Sequence, residues 1–358
     1  RSTLDGTLFP YHDALPILVL ALPSFRQVFF RRVEKKEQTS VRDRLVFFDI
    51  LKGLAIIAVI LIHVTFFFTH TEGLINNDDF INIANNLARF AIPFFFICSG
   101  ILLNPIHSKV EIKGFYKRKI GRIFVPYFLV SAFLFLLYSV PVKTFLIQLI
   151  RGEAAVPFYF VLVLLQMYLL YPLLQKWRYK KWFLPVMFFV SLGYFVSPLP
   201  QQPLDFPIFF PFLFLFAYGM YFRDRFLDYK SDKQELFIWL MLILAYVLIM
   251  VAGRDYYYNQ RYFYGPAMFN VLFYFREGIM KQKLVSRFLQ AFGKNSLWIF
   301  LIHFTLMWTI YPYFYIVPMN YYFRFFFFLV VSVVLSYYLA LACQKLYEYA
   351  YNLVVLKK

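Results

Sequence analysis

The sequence predicts an all-α fold: a polytopic integral membrane protein with about ten transmembrane helices. Three observations carry this reading. The 358 residues are 61% hydrophobic and 23% aromatic, with only 16% charged and a mean hydropathy of +0.62, far more apolar than ordinary soluble domains. Apolar runs of roughly 17–25 residues, the length that crosses a bilayer, recur along the chain. Between these runs Lys and Arg alternate sharply, 29 falling on one side of the predicted membrane against five on the other.

That asymmetry accounts for the net charge of +18. It follows the positive-inside rule and places both termini in the cytoplasm of a cell (plasma) membrane, with loops near Asn76 and Gln201 outside. Nucleic acid is therefore not the expected partner. Membrane lipid is, with anionic headgroups near the basic loops as a secondary contact.

In chain order, residues 1–17 (RSTLDGTLFPYHDALPI) fit nothing that follows. They resemble translated adapter sequence and are expected to be a non-native leader. Residues 18–44 form a basic cytoplasmic lead-in, 45–346 the ten-helix domain and 347–358 a cytoplasmic tail. The expected spans are 45–68, 80–103, 119–140, 156–175, 182–200, 207–223, 234–252, 262–279, 294–314 and 324–346. No period of 20–50 residues repeats.

The first span carries three ionisable residues, Asp49, Lys52 and His63. At about 100° per residue, the step from Lys52 to His63 returns to within about 20° of the same face and rises about 16 Å. Asp49 lies about 60° from that face. Ionisable groups at membrane depth are costly and mark function by default, so the three read as a polar track. His63, in the outer half, has the chemistry to take a proton from a hydroxyl. The plain structural alternatives are a histidine bonded across a helix interface and a Lys52 that snorkels or pairs with Asp49.

Arg89, in the second span, lies about 13 Å below its outer end, level with His63 if the two spans run antiparallel. A guanidinium there can stabilise a developing oxyanion, or serve as a structural cation on loop carbonyls. Ser99-Gly100 reads as a small-residue packing notch or a supporting site. Arg118 and Arg122, at i,i+4 before the third span, share a face that can grip phosphate, though the same residues also serve as a topology signal. His303 falls near the middle of the ninth span, with packing and site roles both open.

Only two cysteines occur, Cys98 and Cys343, both in apolar runs, so neither a disulfide framework nor a metal site is expected. No P-loop, GxGxxG or HExxH is present.

These pieces, in this order, resemble the acyltransferase 3 family of integral-membrane acyltransferases. The family's first helix reads D-x-L-R-G-x-A with a His beyond it, ten residues intervening. Here it is Asp49-Ile50-Leu51-Lys52-Gly53-Leu54-Ala55 and His63, with Lys in place of the usual Arg. FF-x-x-SG-x-LL appears as Phe95 to Leu103, and K-R-x-x-x-R-I-x-x-P-Y as Lys117 to Tyr127. A Trp-Phe-like opening of the fourth helix becomes Tyr159-Phe160. The closing G-x-x-S-x-x-I-(Y/F)-L-I-H runs from Gly293 to His303. The likeness covers about residues 44–346.

The resemblance implies a membrane-bound O-acyltransferase. It would move an acyl group, acetyl by expectation, from cytoplasmic acyl-CoA to a hydroxyl of a cell-surface or exported carbohydrate. Acyl-CoA would be a co-substrate, with no permanently bound cofactor and no metal. His63 would serve as general base, or less directly as an acylated intermediate, and Arg89 as oxyanion stabiliser. Lys52, Arg118 and Arg122 would receive the CoA phosphates, with Asp49, Ser99, Tyr159 and His303 in support. The rival class is a non-enzymatic exporter of a polysaccharide or lipid-linked sugar, for which the same charges would line a path.

Overall fold

A computed structural model describes residues 41–71, 79–196, 206–228, 232–252 and 260–355. The leader, most of the basic lead-in, the end of the tail, and Asn76 and Gln201 lie outside these residues. Among the described residues every regular element is helical. Helix α1 (Val41–Thr71) is unbroken, so the spacing of Asp49, Lys52 and His63 holds as helical geometry.

The second apolar run is two helices, α2 (Asp79–Ala88) and α3 (Ala91–Ile101), separated by a turn at Arg89-Phe90. Pro93 explains the break: it has no N–H for the carbonyl four residues back, that of Arg89, and its ring crowds that carbonyl. The helix end this creates leaves carbonyls inside the bundle without partners four residues on. Tyr246 and Tyr264 meet two of them, donating to Asn86 (3.2 Å) and Leu87 (2.8 Å). Their rings stack with centroids 4.2 Å apart.

Helix α4 (Lys109–Leu137) starts about ten residues before the expected span. Ser108 caps it by accepting from the Glu111 amide at 3.2 Å, while Glu111 accepts from the His107 amide at 2.7 Å, a near capping box. The expected outer loop after α4 is instead a further helix, α5 (Val142–Arg151). It folds back along α4: Phe145 packs on Phe135 and Phe128, and Tyr127 donates to the Leu149 carbonyl at 2.6 Å. Gly152, at φ 71°, turns the chain out of α5, a left-handed conformation that favours glycine. A short 3-10 turn (Val156–Phe158) then leads into α6 (Tyr159–Leu174).

After these come α7 (Phe183–Val196), α8 (Leu213–Tyr221), α9 (Arg223–Asp228), α10 (Lys233–Val251), α11 (Gly265–Tyr274), α12 (Arg276–Lys281), α13 (Lys283–Lys294), α14 (Ser296–Ile316) and α15 (Tyr321–Val355). Among the described residues seven helical stretches are long and apolar enough to cross a membrane, namely 45–69, 79–101, 110–137, 156–174, 233–251, 296–316 and 321–350. Within the expected spans at 182–200, 207–223 and 262–279 the described α-helices are Phe183–Val196, Leu213–Tyr221 and Gly265–Tyr274, so length and composition mark seven of the ten expected crossings. The eighth of them opens on a π turn (Gln260–Tyr264) before α11.

Two backbone contacts lock the bundle. Gly53 and Gly293 bring α1 and α13 together so closely that a Cβ on Gly293 would collide with the Asp49 carbonyl, and one on Gly53 with that of Leu289. Gly100 and Gly219 do the same for α3 and α8. Such small-residue approaches are how helices gain packing where lipid removes the hydrophobic drive. At the basic end a buried Arg225–Glu235 ion pair ties α9 to α10.

Candidate active site

Two cavities meet the residues singled out by sequence. The first, about 110 Å³, lies against the C-terminal half of α1 and is lined by His63, Arg89 and Tyr159 with an otherwise apolar wall that includes Pro157, Phe160 and Phe300. Each element contributes for a local reason. His63 projects from the unbroken α1. The Pro93 break aims Arg89 from the α2–α3 junction. Tyr159 is the first residue of α6, brought in by the Gly152 turn. Asn85 donates to the Thr65 hydroxyl at 2.6 Å and so fixes α2 against α1 two residues from His63.

His303 stands beside this cavity, its ring 5.2 Å from that of His63. The Phe304 ring meets His63 edge-on at 5.1 Å. An imidazole, a guanidinium and a phenol thus share one small space with mostly apolar walls. That combination suits deprotonating a hydroxyl while an oxyanion develops nearby.

The second cavity, about 330 Å³, sits at the basic end and is lined by Arg118, Lys119 and Arg122 of α4 with Phe115, Glu111 and the 102–106 loop. The loop is held by side chains from elsewhere. The Gln175 amide pairs with the backbone of Ile106 in both directions (3.0 and 2.6 Å), Tyr171 donates to the Asn104 carbonyl (2.9 Å) and Arg223 to the Leu103 carbonyl (3.1 Å). Arg118 and Arg122 are exposed and Lys119 is half-buried. Three cations around a volume of this size suit a polyphosphate.

Between the two cavities runs a polar thread. Tyr168 lies close enough to Ser99 to interact with its hydroxyl, and the Lys119 ammonium lies 5.6 Å from the Tyr168 ring centroid. Lys52 pairs with Asp49 at 2.6 Å, both side chains about one-fifth exposed, and is close enough to Lys119 and Cys98 to interact with each. About 16 Å of α1 separates Lys52 from His63.

The structure therefore gathers His63, Arg89, Tyr159 and His303 at one level. It gathers Arg118 and Arg122 at another, and places Asp49, Lys52 and Ser99 between them. Sequence reasoning missed Lys119 as a cavity residue, Tyr168 as the link to Ser99, and the contribution of Val156 and Pro157. The signal for Lys119 was its place inside the Lys117–Arg122 run. Nothing local marked the others, whose roles arise from contacts far apart in sequence. Among the described residues no cluster of His, Cys, Asp or Glu could hold a metal ion.

A family model described as an acyltransferase domain, the acyltransferase 3 model, matches residues 45–341. No curated protein and no solved structure matches the chain.

Proposed function

Because this chain belongs to the acyltransferase 3 family and is a membrane acyltransferase, we propose that it transfers an acyl group, acetyl in the simplest case, from cytoplasmic acyl-CoA to a hydroxyl of a cell-surface or exported carbohydrate. The observation that carries this is the pair of cavities, a tri-basic one on α4 and one on α1 that holds His63. The tri-basic one accepts the CoA phosphates at the cytoplasmic face. The one holding His63 receives the thioester, and the rise of about 16 Å along α1 from Lys52 to His63 is about the reach of a pantetheine arm. His63 takes the proton of the sugar hydroxyl, the oxygen attacks the thioester carbonyl, and Arg89 stabilises the resulting oxyanion. Tyr159 stands at the same wall to orient the hydroxyl. Lys52 neutralises phosphate or thiolate charge on the way, with Asp49 holding its ammonium.

The protein is placed in the plasma membrane with both termini inside. On that orientation Lys143, exposed on α5, faces outward and Lys180, exposed after α6, faces the cytoplasm. In a background without Cys98 and Cys343, a cysteine at 143 labels with an impermeant reagent in intact cells and one at 180 does not. The reverse pattern inverts the assignment.

The broken second span favours one other reading, since discontinuous helices with polar junctions are a transporter device. A space of about 110 Å³ admits an acyl end and a hydroxyl but no glycan chain, so the enzyme reading is the stronger. Its test at the cofactor end is Arg118→Gln with Arg122→Gln. The pair raises the KM for acetyl-CoA about tenfold or more, an effect of about 1.4 kcal/mol or more, with kcat little changed. Unchanged KM in a CoA-release assay sinks the phosphate-grip assignment.

A further inference from the structure

The mechanism above gives no step to the histidine beside His63. His303 is fully buried. Its Nδ1 lies 3.1 Å from the Ile299 carbonyl and 2.8 Å from that of Phe300. Carbonyl oxygens only accept, so the proton of the neutral ring sits on Nδ1 and Nε2 carries only a lone pair. Nε2 is buried and has no hydrogen-bond partner among the described residues. An acceptor left in that state costs about 1–3 kcal/mol, and the polar ring packed against it is His63. With centroids 5.2 Å apart and each ring nitrogen about 1 Å from its centroid, nitrogens of the two rings turned toward each other lie about 3 Å apart, hydrogen-bond range.

The bundle holds the two rings level. Gly53 meets Gly293 where α1 and α13 touch, and His63 and His303 each follow ten residues later. Equal offsets from one contact mean that α1 and the α13–α14 pair run side by side in the same direction. The sequence repeats there: Leu61-Ile62-His63-Val64-Thr65 and Leu301-Ile302-His303-Phe304-Thr305.

We propose that His303 is a positioning residue for His63: its Nε2 accepts a hydrogen bond from a ring N–H of His63, so that the other His63 nitrogen presents its lone pair to the cavity shared with Arg89 and Tyr159. This rests on the catalytic reading of His63 and supplies the third group that orients a base. The hydroxyl O–H breaks and its proton moves to the free His63 nitrogen while the new O–C bond forms to the acyl carbon. The C–S bond of the thioester then breaks and the same proton passes to the CoA sulfur. Throughout, the second His63 N–H stays on His303, which stabilises the transient imidazolium.

The test compares His303→Leu with His303→Gln, with His63→Gln as reference. It uses full-length protein in vesicles of the expressing host, which carry the acceptor, and acetyl-CoA as donor. CoA thiol release is read at matched amounts of folded protein. In a wholly buried apolar setting, packing alone favours Leu over Gln. An acceptor role favours Gln, whose side-chain oxygen reaches the Nε2 position. The expected result is a kcat loss of about 100-fold for Leu with KM for acetyl-CoA unchanged, and a loss within about tenfold for Gln. Leu as active as Gln, or more so, while His63→Gln is dead overturns the positioning role and leaves the base intact. Full activity in His63→Gln overturns both. Should Leu not fold, Gln alone decides: retention within tenfold supports the role, and a loss beyond 100-fold ends it.

Discussion

Replacing His63 with Gln abolishes acyl transfer, lowering kcat by about 10²–10⁴, the range that a positioned general base contributes. Gln keeps reach and hydrogen-bonding capacity in a half-buried position but has no useful basicity, so insertion and folding survive while proton transfer does not. Ala gives the same loss and also removes the ring that packs against Phe304 and His303. Lys52 provides the companion measurement. Lys52→Arg keeps charge and reach and retains most activity, whereas Lys52→Ala leaves Asp49 without its ion-pair partner and loses it. The measurement is acetyl-CoA-dependent O-acylation of the cell-surface glycan in a strain with no other acyltransferase for it. Wild-type acylation by His63→Gln would refute the assignment and return the exporter reading to first place.

The largest structural effect belongs to Gly293→Val. The added Cβ lands on the Asp49 carbonyl of α1, and neither partner is a flexible side-chain end that can step aside. Overpacking costs about 1–3 kcal/mol where neighbours can yield; here two helix backbones must separate, so about 3 kcal/mol or more is expected. The readout is thermal stability and monodispersity in detergent, with a lowered midpoint or loss of the monodisperse peak. Gly278→Val is the control, because a Cβ there meets nothing within 4 Å. Equal midpoints for the two variants would show that the α1–α13 approach tolerates expansion.

Much of this arrangement was legible from sequence because it depends on single helices. Hydropathy located the spans, and the helical period put Lys52 and His63 on one face. The cost of charge in a bilayer singled out Arg89. What was not legible arises between segments. Pro93 four residues after Arg89 signals a break, yet hydropathy alone runs straight through it. The capping of that break by Tyr246 and Tyr264 comes from residues about 160 and 177 positions away. Helix α5 looked like an outer loop because ten residues are too few to span; its return along α4 depends on Phe145 and Leu149 finding α4. The pairing of His63 with His303 had a sequence signal in the repeated Leu-Ile-His-x-Thr, but only the Gly53–Gly293 contact shows that the two copies are level. At 207–223 and 262–279 the apolar runs that composition counts whole are interrupted, by the Pro211 turn before α8 and by the turn at Phe275 after α11.

The interruption at Arg89 also bears on how the chain enters the membrane during synthesis. The first span is the most apolar of the seven, and the second ties with Ser296–Ile316 as the least. Insertion scales charge a mid-helix Arg about 2.5–3.5 kcal/mol, and the Pro93 break adds carbonyls that lipid cannot satisfy. Residues 79–101 therefore have little drive to leave the translocon alone. They depend on the first span waiting beside it, with Thr65 offered to Asn85. Tyr246 and Tyr264 reach Asn86 and Leu87 only after three more of the long spans have been made. The second span's final seat is thus completed late, and the His63–Arg89 pocket closes as one of the last acts of assembly.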